Sequence, residues 1–470
     1  MIDTPVPRAQ TAEASPGSFG LRAGAVSPLE TLAQSIASIA PTVAPALTIP
    51  SVFGLAGNAT WLAYALGGCS MVLVAISVRQ FARRSASPGS LYEYAASVLP
   101  PSASALTGWA LLLAYAGTAA AVTGGFTNYG NALLKLAFHF TMPPAVLTAA
   151  SVGIAAWIAW RDLKFSARLM LWLEGVSVLL IAMVVAVTLL KTPNGFLDLP
   201  QIELRGVNLF HLGPGLVLAI FSFVGFESAT ALGAEARDPL RSIPRAVLNS
   251  AILSGLFFVA CAYTEVLGFR SAGLPLDQSD APLQVLADRS GMSWAGPLIA
   301  MGALFSLFSC TLACITAGAR VLFSMARKGL LPAAASRAHR HNETPHVAVA
   351  FIAVFTIALC GPLAALGVAG ADVNGWLGSL ATYGFIVAYL GVVIAAPIHS
   401  HRWDRFRPRD GILALVAGGF MVAALVLSVN PVPPPPYNYL PYLFALYLAI
   451  VSVIGAITRA RRQVERPGKL

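Results

Sequence analysis

Charged residues are scarce in this sequence. Only 11% of its 470 residues are Asp, Glu, Lys or Arg, whereas 57% are hydrophobic and the mean hydropathy is +0.73. In a soluble domain about a quarter of the residues are charged, so this composition excludes a soluble globular protein and indicates a polytopic membrane protein. The net charge of +10 would suggest nucleic acid as the partner of a soluble protein. Here the basic residues lie in short segments between apolar runs, so we expect a lipid bilayer as the partner and no nucleic acid.

The sequence also lacks the clustered side chains that metal sites and most enzymes need. All five cysteines lie inside apolar runs, and the seven histidines lie at segment ends or in loops. Cys310 and Cys314 are one helical turn apart but have no histidine or carboxylate with them, which is typical of small buried hydrophobic residues. We therefore expect no metal, no cofactor and no catalytic residue. A membrane-embedded enzyme is a disfavoured alternative.

Long apolar runs make up most of the chain. Twelve of them are long enough to cross a bilayer, at roughly 31–56, 60–82, 104–138, 143–160, 167–190, 213–236, 246–269, 294–326, 346–368, 374–398, 411–429 and 440–457. An even number of spans places both termini on one side of the membrane. Of the 30 Lys and Arg residues, 25 fall in the segments on that side, and the other side holds only Lys135, Lys191, Arg205, Arg270 and Arg289. This excess predicts cytoplasmic termini in the cell inner membrane.

The first span contains three prolines in ten residues, at positions 41, 45 and 50. Each proline lacks an N–H group and clashes with the carbonyl four residues earlier, so we expect the helix to break near Pro41. The second half would begin near Thr42, whose hydroxyl could cap it. The N–H groups of Thr42, Val43 and Ala44 would then be unpaired at a positive helix end, where a carboxylate binds well. The alternative is a simple kink whose backbone groups are satisfied by neighbouring helices.

The sixth span carries a similar weak point next to an acid. Gly225 weakens the helix, and Glu227 places a carboxyl near membrane depth, where such groups usually face a cavity or a pathway. Carbonyl groups of the unwound segment would be acceptors for an ammonium group, and we expect them from Phe221, Ser222 and Val224. The rings of Phe221, Phe223 and Phe226 are either the walls and gate of the site or ordinary apolar packing.

Interrupted spans at matching positions of two halves point to a transporter site at the midplane. We therefore predict an all-α membrane protein of twelve helices: a five-plus-five inverted repeat with broken helices 1 and 6, plus two extra C-terminal helices. The predicted divisions are a disordered cytoplasmic tail at 1–27, a transporter domain at 28–457 and a cytoplasmic tail at 458–470. Within the domain, the repeats lie at about 28–190 and 211–398 and the extra helices at about 411–457.

Several motifs resemble those of the amino acid–polyamine–organocation permeases. The sixth span from Phe221 to Ala229 is one of them, together with the Glu235-Ala236-Arg237-Asp238-Pro239 segment that follows it. The others are Pro88–Tyr94 after span 2, Lys164–Arg168 before span 5 and Ala319–Arg327 at the end of span 8. The resemblance covers about residues 28–457. Span 1 has Ala40-Pro41-Thr42 where the family commonly has a glycine-rich break, so the match there depends on position as much as on identity.

The resemblance implies a secondary transporter that moves an amino acid or a related small amine by alternating access. Coupling would be to H⁺ or Na⁺, by symport or by exchange. Glu227 is either the coupling carboxylate, a direct ligand of the substrate ammonium, or a neutral acid bonded between spans 1 and 6. A buried carboxyl resists ionisation and an arriving ammonium favours it, so substrate binding could release a proton. Glu174 in span 5 is the other deep acid that we identify, with a structural or a coupling role.

Some proton-coupled permeases of that family carry a lysine in span 5, in place of a bound cation. Here Ser177 occupies the matching position, and span 5 has no lysine inside it. A cation site could instead be built from Ala37, Ser177, Ser309 and Thr311, because hydroxyl and carbonyl oxygens suit a hard cation. The alternative is that these hydroxyls bond to their own helix backbone.

Two further expectations concern the gate and the substrate. Arg83, Arg84, Tyr92 and Tyr94 would lie on the cytoplasmic face, as an inner gate or, for the arginines, as anchors of the topology. With Glu227 and Glu174 as the only deep acids, a neutral or small substrate is favoured over a polycation. A non-transporting sensor or scaffold on the same fold is the alternative function.

Overall fold

A computed structural model describes residues 19–161, 164–192, 197–208, 212–279, 281–403 and 408–465. Within these ranges the regular secondary structure is helical, and extended pairing is limited to one isolated bridge between Val26 and Ala236. The prediction of an all-α protein is confirmed. The predicted tail residues 1–18 and 466–470 lie outside the described residues.

The described residues form sixteen α-helices. They are α1 Pro28–Ile39, α2 Ile49–Ala56, α3 Thr60–Ala82, α4 Ser90–Ala96, α5 Pro101–Phe138, α6 Pro144–Arg161, α7 Lys164–Lys191, α8 Leu199–Ile202, α9 Gly213–Phe221, α10 Pro239–Ser271, α11 Pro282–Arg289, α12 Ala295–Arg327, α13 His346–Ala365, α14 Gly370–Trp403, α15 Pro408–Leu427 and α16 Leu440–Glu465. A π-helical segment, Ala44–Thr48, joins α1 to α2 after a short turn, and 3₁₀ turns lie at Gly57–Ala59, Ser228–Leu232, Leu276–Gln278 and Ala333–Ser336.

Nine stretches of the described chain are long and apolar enough to cross a membrane. One of them is the continuous stretch Pro28–Ala82, which contains α1, α2 and α3. α9 is too short to count because it ends at the break in the sixth span, and the apolar part of α16, Leu440–Gly455, is also short. A protein with many membrane-spanning helices is confirmed, and twelve spans stay a prediction.

Two long helices, α5 and α14, form the centre of the bundle. In the most apolar window of α5, 89% of residues are buried, compared with 22% in α15. Small residues let α5 and α14 approach closely: Gly117 faces Ala381, and a Cβ on Gly384 would lie 2.6 Å from the Ala110 carbonyl oxygen. Without a hydrophobic driving force between helices in lipid, such close contacts provide much of the packing energy.

We call the end of the molecule at which α1 begins the N-terminal face. It is formed by residues 19–30, α4 and the loop after α12. Residues 19–27 were expected in a disordered tail, but they pack here: the Val26 N–H donates to the Glu235 carbonyl at 2.9 Å, and the Arg237 N–H donates to the Val26 carbonyl at 2.9 Å. Backbone pairing and the burial of Leu21 and Ala25 fix this segment, so the predicted tail boundary at residue 27 is wrong.

Candidate functional site

The first span breaks where its prolines predict. α1 ends at Ile39, and Ala40 adopts a left-handed conformation with φ 49°. After a turn at Pro41 and Thr42, the chain resumes as the π-helical segment from Ala44 and then as α2. The second half therefore begins about two residues later than expected, because the turn includes Pro41 and Thr42.

The sixth span is also broken, and over a longer stretch than expected. α9 ends at Phe221, an irregular turn follows, and only the 3₁₀ turn Ser228–Leu232 precedes α10. Gly225 has φ +95°, a conformation that L-residues with a side chain rarely adopt. A Cβ on Gly225 would lie 2.6 Å from the Cβ of Ser38 and 2.9 Å from its carbonyl oxygen. Glycine is thus required because the two breaks touch at this point.

Side chains bond across the contact between the breaks. The Ser35 hydroxyl donates to the Phe226 carbonyl at 2.8 Å, and the Ser228 hydroxyl donates to the Gln34 carbonyl at 3.1 Å. α12 joins the contact through Cys310, whose thiol donates to the Ser38 carbonyl at 3.1 Å. Polar backbone groups exposed by both breaks therefore converge in the buried middle of the bundle.

A carboxyl of the protein itself occupies the donors predicted for a ligand. Glu174 Oε1 accepts the Thr42 N–H at 3.0 Å and the Thr42 hydroxyl at 2.7 Å, and both residues are buried. The Val43 N–H donates to the Ala40 carbonyl at 2.8 Å. Our expectation that the N–H groups of Thr42 and Val43 are unpaired is therefore wrong, and so is the expectation that the Thr42 hydroxyl caps the helix. The pairing does show that Thr42 can hold a carboxyl group.

Glu227 is fully buried and bonded to two tyrosines. The Tyr115 hydroxyl of α5 donates to Oε1 at 2.9 Å, and the Tyr389 hydroxyl of α14 donates to Oε2 at 2.8 Å. One of the three interpretations of Glu227 is a neutral acid bonded between spans 1 and 6. That interpretation is wrong about the bonding partners, which are tyrosines of the two central helices, α5 and α14. The carboxyl connects the broken sixth span to α5 and α14.

The three phenylalanines of the sixth span pack inside the protein. Phe223 lies against Tyr64 and Phe258, with ring centroids 6.2 and 5.2 Å away, and Phe226 lies 5.5 Å from Tyr389. Phe221 packs on Gly378, where a Cβ would come within 2.7 Å of its ring. Next to Phe221, the Ser222 hydroxyl lies 3.1 Å from that of Tyr64. In this conformation the rings and Ser222 hold the break in place.

The four candidate cation ligands have different neighbours among the described contacts, and a shared cation site stays a prediction. Cys310 bonds to Ser38, so their neighbours Ser309 and Ala37 lie at the contact between α12 and α1. Ser177 instead packs against Gly302, which is seven residues before Ser309 and about 10 Å away along the helix axis. The Thr311 hydroxyl donates to the Leu307 carbonyl at 3.1 Å and lies 3.3 Å from that of Thr123. The Thr311 hydroxyl therefore bonds to the backbone of its own helix, as the alternative interpretation expects.

Two buried glutamates were missed in the sequence analysis. Glu235 and Glu265 are 2% and 0% exposed, so the expectation that Glu227 and Glu174 are the only deep acids is wrong. Both lie inside predicted spans, at 213–236 and 246–269, and a systematic search of the apolar runs for carboxylates would have found them. Tyr64, Tyr115 and Tyr389 were also missed, because their partners are far away in the sequence.

Ion pairs close the N-terminal face. Arg320 of α12 forms a bidentate ion pair with Glu235. Its Nε lies 2.5 Å from Oε2 and its Nη2 lies 2.7 Å from Oε1, and both side chains are buried. Nearer the surface, Lys328 pairs with Glu93 of α4 at 2.5 Å. These pairs join α12 and the residue after it to the sixth span and to α4, and Arg83 and Arg84 are exposed.

Of the predicted gate residues, the tyrosines are the buried ones. The rings of Tyr94 and Phe81 stack with centroids 5.2 Å apart, and Lys328 Nζ lies 5.3 Å from the ring centroid of Tyr92. Burial raises the pKa of Tyr94, so its phenol is neutral at physiological pH.

The bundle and its two touching breaks define a class: a polytopic membrane protein with buried polar groups where two interrupted spans meet. Residues 29–456 match the sequence model of the amino acid permease family. The chain belongs to that family, and the predicted resemblance is confirmed. It is a multi-pass membrane transporter and not an enzyme.

Named relatives are of the same kind. The branched-chain amino acid permease BcaP of Bacillus subtilis is 24% identical, over 72% of this chain and 74% of its own length. The methylthioribose transporter of the same organism is 25% identical, over 72% and 73%. The vacuolar cationic amino acid transporter 4 of Arabidopsis thaliana is 27% identical, over 76% of this chain and 59% of its own length.

Proposed function

We propose that this protein is a secondary active transporter that moves an amino acid or a related small amine across the cell inner membrane by alternating access. The observation that carries the proposal is the pairing of Thr42 with Glu174 at the point where the two breaks meet. A site that already holds a protein carboxyl can hold a substrate carboxylate by the same two donors. The names of the relatives, which include permeases of branched-chain and cationic amino acids, agree with such a substrate.

The architecture that we propose has twelve spans, with inverted repeats at about 28–190 and 211–398 and two added helices at about 411–457. Support comes from the two breaks, which lie in the first span of each proposed repeat. The excess of basic residues assigns the N-terminal face, the tail 458–470 and residues 1–27 to the cytoplasm. The opposite face, which contains the turn Gly57–Ala59, α8 and α11, is then the outer face.

Substrate binding would exchange one carboxyl for another at Thr42. In the described conformation Glu174 accepts from both Thr42 donors, so neither of these two buried groups is left without a partner. A substrate carboxylate would displace Glu174, while carbonyls of Phe221, Ser222 and Val224 would accept bonds from its ammonium group. Pro41, Val43, Ala44 and Gly225 shape the backbone of this site, and Phe223 and Phe226 form its walls.

For coupling we propose protons rather than sodium. Two of the candidate cation ligands have other neighbours, since Ser177 packs against Gly302 and the Thr311 hydroxyl bonds to its own helix. In contrast, the site contains two buried carboxyls, Glu174 and Glu227, held by neutral donors. Carboxyls in such settings exchange protons when a charge arrives or leaves nearby.

Uptake into proteoliposomes tests the proposal. The panel comprises labelled branched-chain, small neutral and cationic amino acids, methylthioribose and simple amines, each with no gradient, a pH gradient or a sodium gradient. We expect uptake of at least one amino acid or amine, stimulated by an inward proton gradient and indifferent to sodium. Stimulation by sodium alone contradicts proton coupling. Binding in a thermal-shift assay without any uptake would favour a sensor over a transporter.

A further inference from the structure

Glu265 is a buried acid whose carboxyl has no partner among the described residues. It lies in α10, six residues before the helix ends at Ser271, and it is 0% exposed. Neither of its carboxyl oxygens makes a hydrogen bond within the described part of the protein. Buried polar groups in folded proteins are satisfied in the great majority of cases, so an orphaned carboxyl needs a physical reason.

Glu265 faces α3 and, through it, the broken sixth span. Phe258, Cys261 and Glu265 follow one another at helical spacing and share a face of α10. This face packs on Tyr64 of α3, whose ring centroid is 6.0 Å from that of Phe258. Tyr64 is within electrostatic reach of Glu265 and Cys261, and its hydroxyl lies 3.1 Å from that of Ser222 in the break.

Arg270 of α10 itself and Glu174 of the neighbouring α7 are engaged elsewhere. At the outer end of α10, Arg270 bonds to both oxygens of Asp198 at 2.6 and 2.7 Å and also to Asn58. Glu174 of α7, which also packs on α10, is bonded to Thr42. The titratable groups that share this contact with Glu265 are the Tyr64 phenol and the Cys261 thiol, and neither of them can carry a positive charge.

An ionised carboxylate buried without a counter-charge is far less favourable than the neutral acid. In the described conformation Glu265 therefore carries its proton. Glu265 lies about 9 Å along the helix axis from Ser271, on the side of the outer face. The bonds of Arg270 to Asp198 and Asn58 lie between Glu265 and the outer end of α10.

We propose that Glu265 is the site at which the transporter takes up a proton from the outer side as it closes there. On closure, the carboxylate accepts one proton from outer water and becomes the neutral acid, and no other bond forms or breaks. On reopening, the acid returns that proton to water. The proposal rests on the proposed function, because it requires an alternating-access cycle.

The linkage between proton binding and closure gives the direction in which outer pH changes the transport rate. If the closed conformation binds one proton more than the outward-open one, a lower outer pH favours closure. Transport that is limited by this step then accelerates as the outer pH falls. Glu265→Gln, which resembles the neutral acid in shape, should close without taking up a proton and lose this dependence on outer pH.

Infrared spectroscopy of the purified full-length protein tests protonation without any substrate. We expect a carboxylic-acid C=O band at neutral pH that shifts in D₂O and decreases by one group in Glu265→Gln. The matched control is Glu203→Gln, which removes an exposed carboxylate paired with Arg205 and should leave the band unchanged. A band of wild-type intensity in Glu265→Gln overturns the proposal. If that variant does not fold, Glu265→Met removes the same carboxyl.

Measuring uptake at fixed inner pH and varied outer pH tests whether protonation of Glu265 is linked to closure of the outer side. The wild-type rate should fall with rising outer pH, whereas the Glu265→Gln rate should vary less than twofold over the same range. A lost band with an unchanged pH profile contradicts a role in transport. If the wild-type protein takes up nothing from the panel, the proposed function fails, and the infrared result still decides whether Glu265 holds a proton.

Discussion

Four buried glutamates have four different surroundings. Glu174 accepts from an amide and a hydroxyl, Glu227 from two phenols, and Glu235 from a guanidinium group. Glu265 has no partner among the described residues. These partners decide how readily each carboxyl changes its charge, because a cation fixes the ionised form and an apolar setting disfavours it.

Glu174→Gln tests whether Glu174 competes with the substrate for Thr42. A neutral amide oxygen makes weaker bonds to the Thr42 donors than a carboxylate does, by about 1 kcal/mol per bond. We therefore expect the substrate to bind more tightly in the variant, roughly five- to thirtyfold. Titration of the purified protein with a transported substrate measures this change.

Glu203→Gln on the exposed surface is the control and should bind like the wild type. Weaker binding by Glu174→Gln would mean that Glu174 is a ligand of the substrate. Equal affinity would mean that it does not compete as an anion.

Glu227→Gln tests the proton dependence at the inner side of the site. Glutamine keeps an oxygen acceptor for one tyrosine and can donate to the other, so the protein should still insert and fold. Because Glu227 lies between the break and the N-terminal face, we expect its loss to flatten the dependence of transport on inner pH. Uptake at fixed outer pH measures this. An unchanged inner-pH profile would leave Glu227 as a structural link to Tyr115 and Tyr389.

At the level of single elements, the positions of both breaks could be predicted from the sequence. Proline and glycine act through local sterics, so the prolines near Pro41 and the glycine at 225 mark where a helix ends. What fills the breaks could not be predicted. Thr42 and Glu174 are separated by 132 residues, and Tyr389 and Glu227 by 162, so these bonds depend on how the helices pack.

Gly225→Ala should disrupt the contact between the two broken elements. The new Cβ would overlap Ser38, at 2.6 Å from its Cβ, and alanine would also be strained at φ +95°. Gly367→Ala is the matched control, because Gly367 has φ +74° but open space around it. We expect Gly367→Ala to cost about 1 kcal/mol of stability.

Gly225→Ala should lower the melting temperature further and reduce substrate binding. Thermal unfolding with and without substrate separates the two effects. Equal behaviour of the two variants would show that strain at glycine matters and that the contact with Ser38 does not.

On the scale of the whole molecule, the described conformation is closed at the N-terminal face. The Glu235–Arg320 pair joins the end of the sixth span to α12, and Ser90 of α4 lies 2.6 Å from Thr230, hydroxyl to hydroxyl. Residues 19–27 add backbone bonds to the same segment. Opening toward the cytoplasm must therefore separate α12 and α4 from the end of the sixth span, which breaks the buried ion pair between Glu235 and Arg320.

Removing one partner of this pair should open the face, whereas removing both should not. Glu235→Leu or Arg320→Met alone leaves a buried charge without its partner, at a cost of about 3–5 kcal/mol in the closed state. The double variant replaces the pair with apolar packing and should regain most of that stability.

Cys310 and Cys314 are natural reporters, because both are buried and Cys314 lies near Glu227. With the exposed Cys69 replaced by serine, we expect an impermeant thiol reagent applied from the cytoplasmic side to label each single variant faster than the parent. The double variant should be labelled at nearly the parental rate. If the double variant is also labelled faster than the parent, apolar side chains of similar volume do not replace the ion pair. The charges themselves would then hold the face closed.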